Sequence, residues 1–143
     1  MRSGGGLAPL WCMADFKKLK VWEKAHALAV RVHKLAKSMR ATRYASLRNQ
    51  MITSAESVPT NIVEGSRKAS NRDFARFLEY ALNSAAELEY HLILAHDIGA
   101  TPEAETSTLI SDAVEIRKML YGLIRRVKCK SPSRPRVEAS TPV

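Results

Sequence analysis

Glu23 and His26 stand in the run Glu23-Lys24-Ala25-His26. This is the E-x-x-H spacing by which a helix offers a carboxylate and an imidazole to a di-iron centre. Such a centre needs a second E-x-x-H and two further carboxylates facing inward. His33, His91 and His96 follow Val30, Leu88 and Ile93 at that spacing, so the second motif is missing. On a helical wheel Glu23 falls nearly opposite the neighbouring apolar residues and His26 lies to one side, which describes a solvated face. His91 and His96 are about 140° apart around a helix and do not share a ligand face. Neither a Ser-His-Asp nor a Cys-His arrangement can be built from the spacings. There is no P-loop and no G-x-G-x-x-G, since the only glycine run is Gly4-Gly5-Gly6. Cys12 and Cys129 form no C-x-x-C pair, which removes a zinc knuckle and a thioredoxin-type couple and reads as two free thiols in a reducing cytoplasm. These patterns supply no catalytic residue, no metal site and no cofactor site, and the expectation is a protein that is not an enzyme.

The cations are another matter. Lys and Arg number 23 against 14 Asp and Glu, a net charge of +9. A balance this basic suits nucleic acid, an anionic membrane surface or an acidic protein. The charges are also clustered. Lys20, Lys24, Arg31 and Lys34 fall within about 80° of one another on a wheel, a ridge along one helix. Arg67, Lys68, Arg72 and Arg76 surround a turn that opens a helix, whose first N–H groups favour phosphate. Arg125, Arg126 and Lys128, continuing to Lys130, Arg134 and Arg136, have no acid among them. Rows of cations relieve the repulsion between phosphates and release counterions. Lys and Arg are equally ordinary on helix surfaces, where their stems cover apolar side chains. No aromatic ladder accompanies the cations, because Trp22 and Phe74 belong to apolar stripes; this favours backbone contact over base reading.

Four amphipathic segments must position these groups. The first, about 17–40, places Val21, Trp22, Ala25, Leu28, Ala29, Val32, Leu35, Ala36 and Met39 on one face. The second, about 44–64, has the stripe Leu47, Met51, Ala55, Val58 and Ile62. It contains Pro59, expected to kink the helix or start a new turn, and ends at Gly65, read as a left-handed terminator. Asn61 is placed to bond the carbonyl that Pro59 frees, and Glu64 to contact a basic residue between helices. The third opens with the capping box Ser70-Asn71-Arg72-Asp73, carries Phe74, Phe77, Leu78, Ala81, Leu82, Ala85, Leu88, Leu92 and Ala95, and stops at Gly99. The fourth starts at Thr101-Pro102-Glu103, with Thr as N-cap and Pro as first helical residue. It runs to about Cys129 on Leu109, Ile110, Ala113, Val114, Ile116, Leu120, Leu123, Ile124 and Val127. Composition agrees, with 6% aromatic residues and six residues each of Gly and Pro. Short connections make neighbours antiparallel, so the expected fold is all-α, an up-down-up-down four-helix bundle over 15–129. Residues 1–14 are expected to be a disordered extension, with Met13 as a natural start, and 130–143 a disordered basic tail. No apolar run approaches the length of a membrane span.

Several of these residues carry a resemblance. Phe16, Leu19, Val21-Trp22, Ala25 and Leu28, then Gln50 and the run from Ser57-Val58-Pro59 through Asn61-Ile62 to Glu64-Gly65, are similar to the bacterial 23S rRNA intervening-sequence proteins. Asp73-Phe74, Phe77-Leu78, Ala81, Ser84, Glu87-Leu88-Glu89 and Leu92 continue it, over roughly 15–129. The resemblance implies a bundle protomer that assembles into a ring-shaped homo-oligomer, often a pentamer, with a role in binding nucleic acid. A more distant likeness is to the accessory proteins of diversity-generating retroelements, which assist a reverse transcriptase. The sequence departs from the family at Ile52 and Thr53, where members usually carry arginine after the glutamine matching Gln50.

The expectation is therefore a cytoplasmic homo-oligomer that binds RNA or DNA through phosphate contacts with little sequence specificity. The alternative is a scaffold or accessory factor for a protein such as a reverse transcriptase, using tyrosines left over from the core stripes: Tyr44, Tyr80, Tyr90 or Tyr121.

Overall fold

The structure, a computed structural model, describes residues 15–129; the expectations for 1–14 and 130–143, with Cys12, Lys130, Arg134 and Arg136, lie outside the described residues. A 3-10 turn, Phe16–Lys18, leads into α1, Lys20–Ala36, and a second, Thr42–Tyr44, leads into α2, Ala45–Ser66. The helices α3, Asn71–Asp97, and α4, Glu103–Cys129, complete the chain, and no strand occurs among the described residues. Side-chain pairs fix the directions. Lys24 meets Glu115 and Arg31 meets Asp112, while Glu79 meets Lys128 and Glu89 meets Arg117, so partner numbers fall as chain numbers rise. Ser57 pairs with Ser84, and His33 with Glu56. Each helix packs on its sequence neighbours and α1 closes on α4, giving an up-down-up-down bundle.

The core is aliphatic apart from Phe74. Met39, Met51, Ile62, Phe74, Leu78, Leu88, Leu92, Leu109, Ile116 and Leu120 are its largest fully buried side chains. Alanines at 25, 55, 75, 81, 85, 95 and 113 let the helices approach. The stripes read from sequence form this core, except that Trp22, Leu47, Leu82 and Ile110 stay partly buried against it and Phe77 and Val114 are only half-buried.

The helix ends correct several expectations. The first segment is shorter than expected, because Leu19 breaks it from the preceding turn and the helix closes at Ala36. Ser70 caps α3 as expected, its hydroxyl accepting from the Asp73 N–H at 3.1 Å. The Asp73 carboxylate pairs with Arg76 at 3.5 Å. Gly99, at φ 70°, ends α3. Its N–H donates to His96 and that of Ala100 to Ala95, the paired bonds of a Schellman turn. Helix α4 begins one residue later than expected, at Glu103; Thr101 accepts a bond from the Thr106 hydroxyl instead of capping the backbone.

Pro59 does not interrupt α2, which is continuous through it. Thr60 and Asn61 donate side-chain bonds to the carbonyls of Glu56 and Ser57 in the preceding turn, at 2.7 and 2.8 Å. Asn61 thus serves Ser57, including its hydroxyl at 3.0 Å, and not the carbonyl freed by Pro59. Gly65 is no terminator. It is buried inside α2, where a Cβ would lie 2.9 Å from Phe77 Cβ, 3.0 Å from the Phe74 ring and 3.3 Å from the Phe74 carbonyl. The absent side chain lets α2 and α3 touch. Gly122, in α4, has nothing within 4 Å of the same position.

Two outcomes follow. Gly65→Ala should lower the urea midpoint, because overpacking costs about 1–3 kcal/mol and exceeds the gain of up to about 1 kcal/mol in helix propensity. Gly122→Ala, with open space, should raise it. The second outcome concerns His96, whose Nδ1 lies 3.0 Å from Asp97 and Nε2 3.8 Å from Glu103. The Asp97 hydrogen bond, opposed by some desolvation and helped by the charges of Asp97 and Glu103, raises its pKa above 6.5. A folded value above the unfolded one makes this contribution complete below pH 6.5 and lost as pH rises through the raised value. An NMR titration should place the His96 midpoint above 6.5, and Asp97→Asn should bring it down.

Candidate nucleic-acid interface

Four antiparallel helices bring the start of α1, the end of α2, the start of α3 and the end of α4 to one end of the bundle. That geometry unites residues far apart in sequence. Arg67 and Lys68 leave α2 where Arg72 and Arg76 enter α3, and Arg125, Arg126 and Lys128 finish α4 beside them. Lys17, Lys18 and Lys20 arrive from the chain start, whose 3-10 turn packs on α2. The acids Asp15, Glu23, Glu64, Asp73 and Glu79 share this end, but two are engaged by its cations: Asp73 by Arg76, and Glu79 by Lys128 at 2.5 Å. Arg67, Arg72, Arg125 and Arg126 are exposed, without an ion-pair partner among the described residues.

The ridge on α1 divides. Lys24 pairs with Glu115 at 2.9 Å, and Arg31 forms a short ion pair with Asp112. Both acids lie on the edge of α4 that faces α1, so half of the ridge is an interhelical seam. The Glu115 hydrogen bond and charge raise the Lys24 pKa above 10.5. These are exposed pairs, screened by solvent and individually weak, so phosphate can compete for the cations. Lys20 stands at the basic end. Lys34 lies further along, in a depression shared with Arg31 and Glu105.

One group at the basic end was not anticipated from sequence. The Lys68 Nζ lies 4.9 Å from the centre of the Phe77 ring and the Arg76 guanidinium 5.5 Å from it. Tyr80 meets Phe77 edge-on, with centroids 5.4 Å apart and planes at 76°. The helical period places Phe77 on the buried stripe, but it is only half-buried, and Tyr80 is 46% exposed. The available signal was an aromatic pair at i and i+3 directly after four cations.

Of the specific run, Pro59 borders a groove of about 560 Å³ between α1 and α2, with His26, His33 and Glu56 on its walls. Glu64 is exposed and makes no ion pair among the described residues, which corrects the expected buried contact between helices. Glu23 is exposed, and the His26 ring stacks on Trp22 at 5.1 Å. His91 is buried near Glu87, at 3.3 Å. No three His, Cys, Asp or Glu among the described residues are grouped to hold a metal ion. Cys129 is a free, exposed thiol. Ile52 is half-buried and Thr53 exposed in the first half of α2. Thr53 is about 20 Å along the helix from Ser66, so the missing arginines do not deplete the basic end. No helix among the described residues is long and apolar enough to cross a membrane.

The four antiparallel helices and their shared core define an all-α bundle, and comparison identifies its family. The profile of the 23S rRNA-intervening sequence protein family matches residues 17–122, and the chain belongs to that family. It is similar to a crystal structure of a protein with unknown function from the S23 ribosomal protein family of Bacteroides thetaiotaomicron. The TM-score is 0.69 and the identity 29%, over 73% of this chain and 98% of that one. Among curated proteins none matches.

Proposed function

We propose that this protein binds nucleic acid, without catalysing a reaction on it, through phosphate contacts at the basic end of the bundle. The observation that carries this reading is the convergence of two cationic clusters and the start of α1 on one end, with four arginines there that have no ion-pair partner among the described residues. Cations placed together neutralise neighbouring phosphates and release their counterions, which gives affinity without sequence preference. The family's name refers to an intervening sequence of 23S rRNA, which makes RNA the nucleic acid to test first. The test is a titration of labelled RNA at several salt concentrations. Binding should weaken steeply with salt. Arg72→Ala and Arg125→Ala should each weaken it across all sequences and lower the log–log salt slope by roughly one. Lys37→Ala, at the far end of α1, should do much less. Affinity indifferent to salt, or unchanged in both arginine variants, would remove the proposal.

A second reading, self-association, is favoured by a separate surface. Tyr90 and Ile93 on α3 and Tyr121 on α4 are 60%, 39% and 59% exposed. Tyr121 also edges a depression with Leu82 and Ala86. Tyr44, by contrast, is packed against the core and drops out of the tyrosines left for a partner. The occupant proposed for this face is a second copy of the chain, consistent with the ring that the resemblance implies. Copies related by an axis along the bundle would point their basic ends the same way, so that weak phosphate sites act together. Light scattering should give a mass of several chains, and Tyr90→Glu with Tyr121→Glu should reduce it to one. A single-chain mass for the unaltered protein would refute self-association and turn attention to a partner such as a reverse transcriptase.

A further inference from the structure

We propose that the Phe77–Tyr80 pair makes the basic end a single-strand site, where an unpaired base stacks on Tyr80 while adjoining phosphates lie against Lys68 and Arg76. The inference rests on the nucleic-acid reading above and adds the form of nucleic acid preferred. Tyr80 is a large aromatic side chain left 46% exposed, away from the core stripe. Its ring is steadied edge-on by Phe77. Phe77 in turn is held where its Cβ closes on Gly65. The platform is therefore built beside a close approach between α2 and α3.

The cations are placed for the rest of a nucleotide. Lys68, in the α2–α3 connection, and Arg76, on α3, both lie over Phe77, at 4.9 and 5.5 Å. Besides the Phe77 ring, Arg76 meets Asp73 in a 3.5 Å pair whose side chains are both about half exposed, so its guanidinium can turn toward a phosphate. One turn beyond Tyr80, Ser84 is joined to Ser57 at 2.8 Å, and Asn61 reaches the same hydroxyl at 3.0 Å. The next groups on that face are thus neutral donors and acceptors. A duplex hides the faces of its bases, so a protruding ring beside phosphate-binding cations gains contact only with an unstacked strand. Ring–base stacking is tolerant of sequence because every base has a π-face.

The test titrates the full chain with oligouridylate, with an abasic strand carrying the same number of phosphates, and with an RNA duplex of the same number. The unaltered protein should hold oligouridylate at least about fivefold tighter than the abasic strand. Tyr80→Ala should erase that margin while leaving abasic-strand and duplex affinity in place. Tyr80→Phe, which keeps the ring, should retain it. Equal affinity for oligouridylate and the abasic strand, or a margin that survives Tyr80→Ala, would overturn the stacking site and leave the phosphate reading standing. Failure to bind any of the three at low salt would overturn both.

Discussion

Each helix here carries an apolar face that must leave water, and each connection is too short to take the next helix anywhere but back alongside. Hydrophobic burial and short turns together allow little besides an antiparallel bundle. The positions of the charged groups depend on that constraint. Clusters near 20, 67–76 and 125–128 are distant in sequence, but in a bundle of this handing-back topology odd-numbered helix starts and even-numbered helix ends coincide. The basic end is a product of chain reversal as much as of composition.

The same burial sets the spacing between helices. Buried alanines and Gly65 keep the interior narrow, and at Gly65 the narrowing becomes a contact that tolerates no Cβ. Its partner Phe77 is pushed to the margin, half in the core and half out, under two cations. A packing requirement between α2 and α3 thereby shapes the surface next to it.

Much of the fold was legible because helical periodicity is local. The four stripes, the Ser70 cap and the Gly99 terminator depend on residues within a turn or two. Gly65 was misread because a terminating glycine and a close-approach glycine look alike until the neighbouring helix is in place. Pro59 looked like a break, yet Thr60 and Asn61 add side-chain bonds in the preceding turn and α2 runs on. The pairing of Lys24 and Arg31 with Glu115 and Asp112 spans most of the chain, so no pattern along α1 could disclose it. Phe77 was assigned to the core by its period, and only the packing shows how far it stands out.

An even number of helices leaves Asp15 and Cys129 on the same side of the molecule. A fluorescent label placed at Asp15 or on the exposed Cys129 thiol therefore sits at the basic end and crowds that surface. The α1–α2 connection and the tight turn at Gly99 sit at the opposite pole. Of the two, the α1–α2 connection is the better place for a label, since the bonds that close α3 at Gly99 have no slack for an insertion.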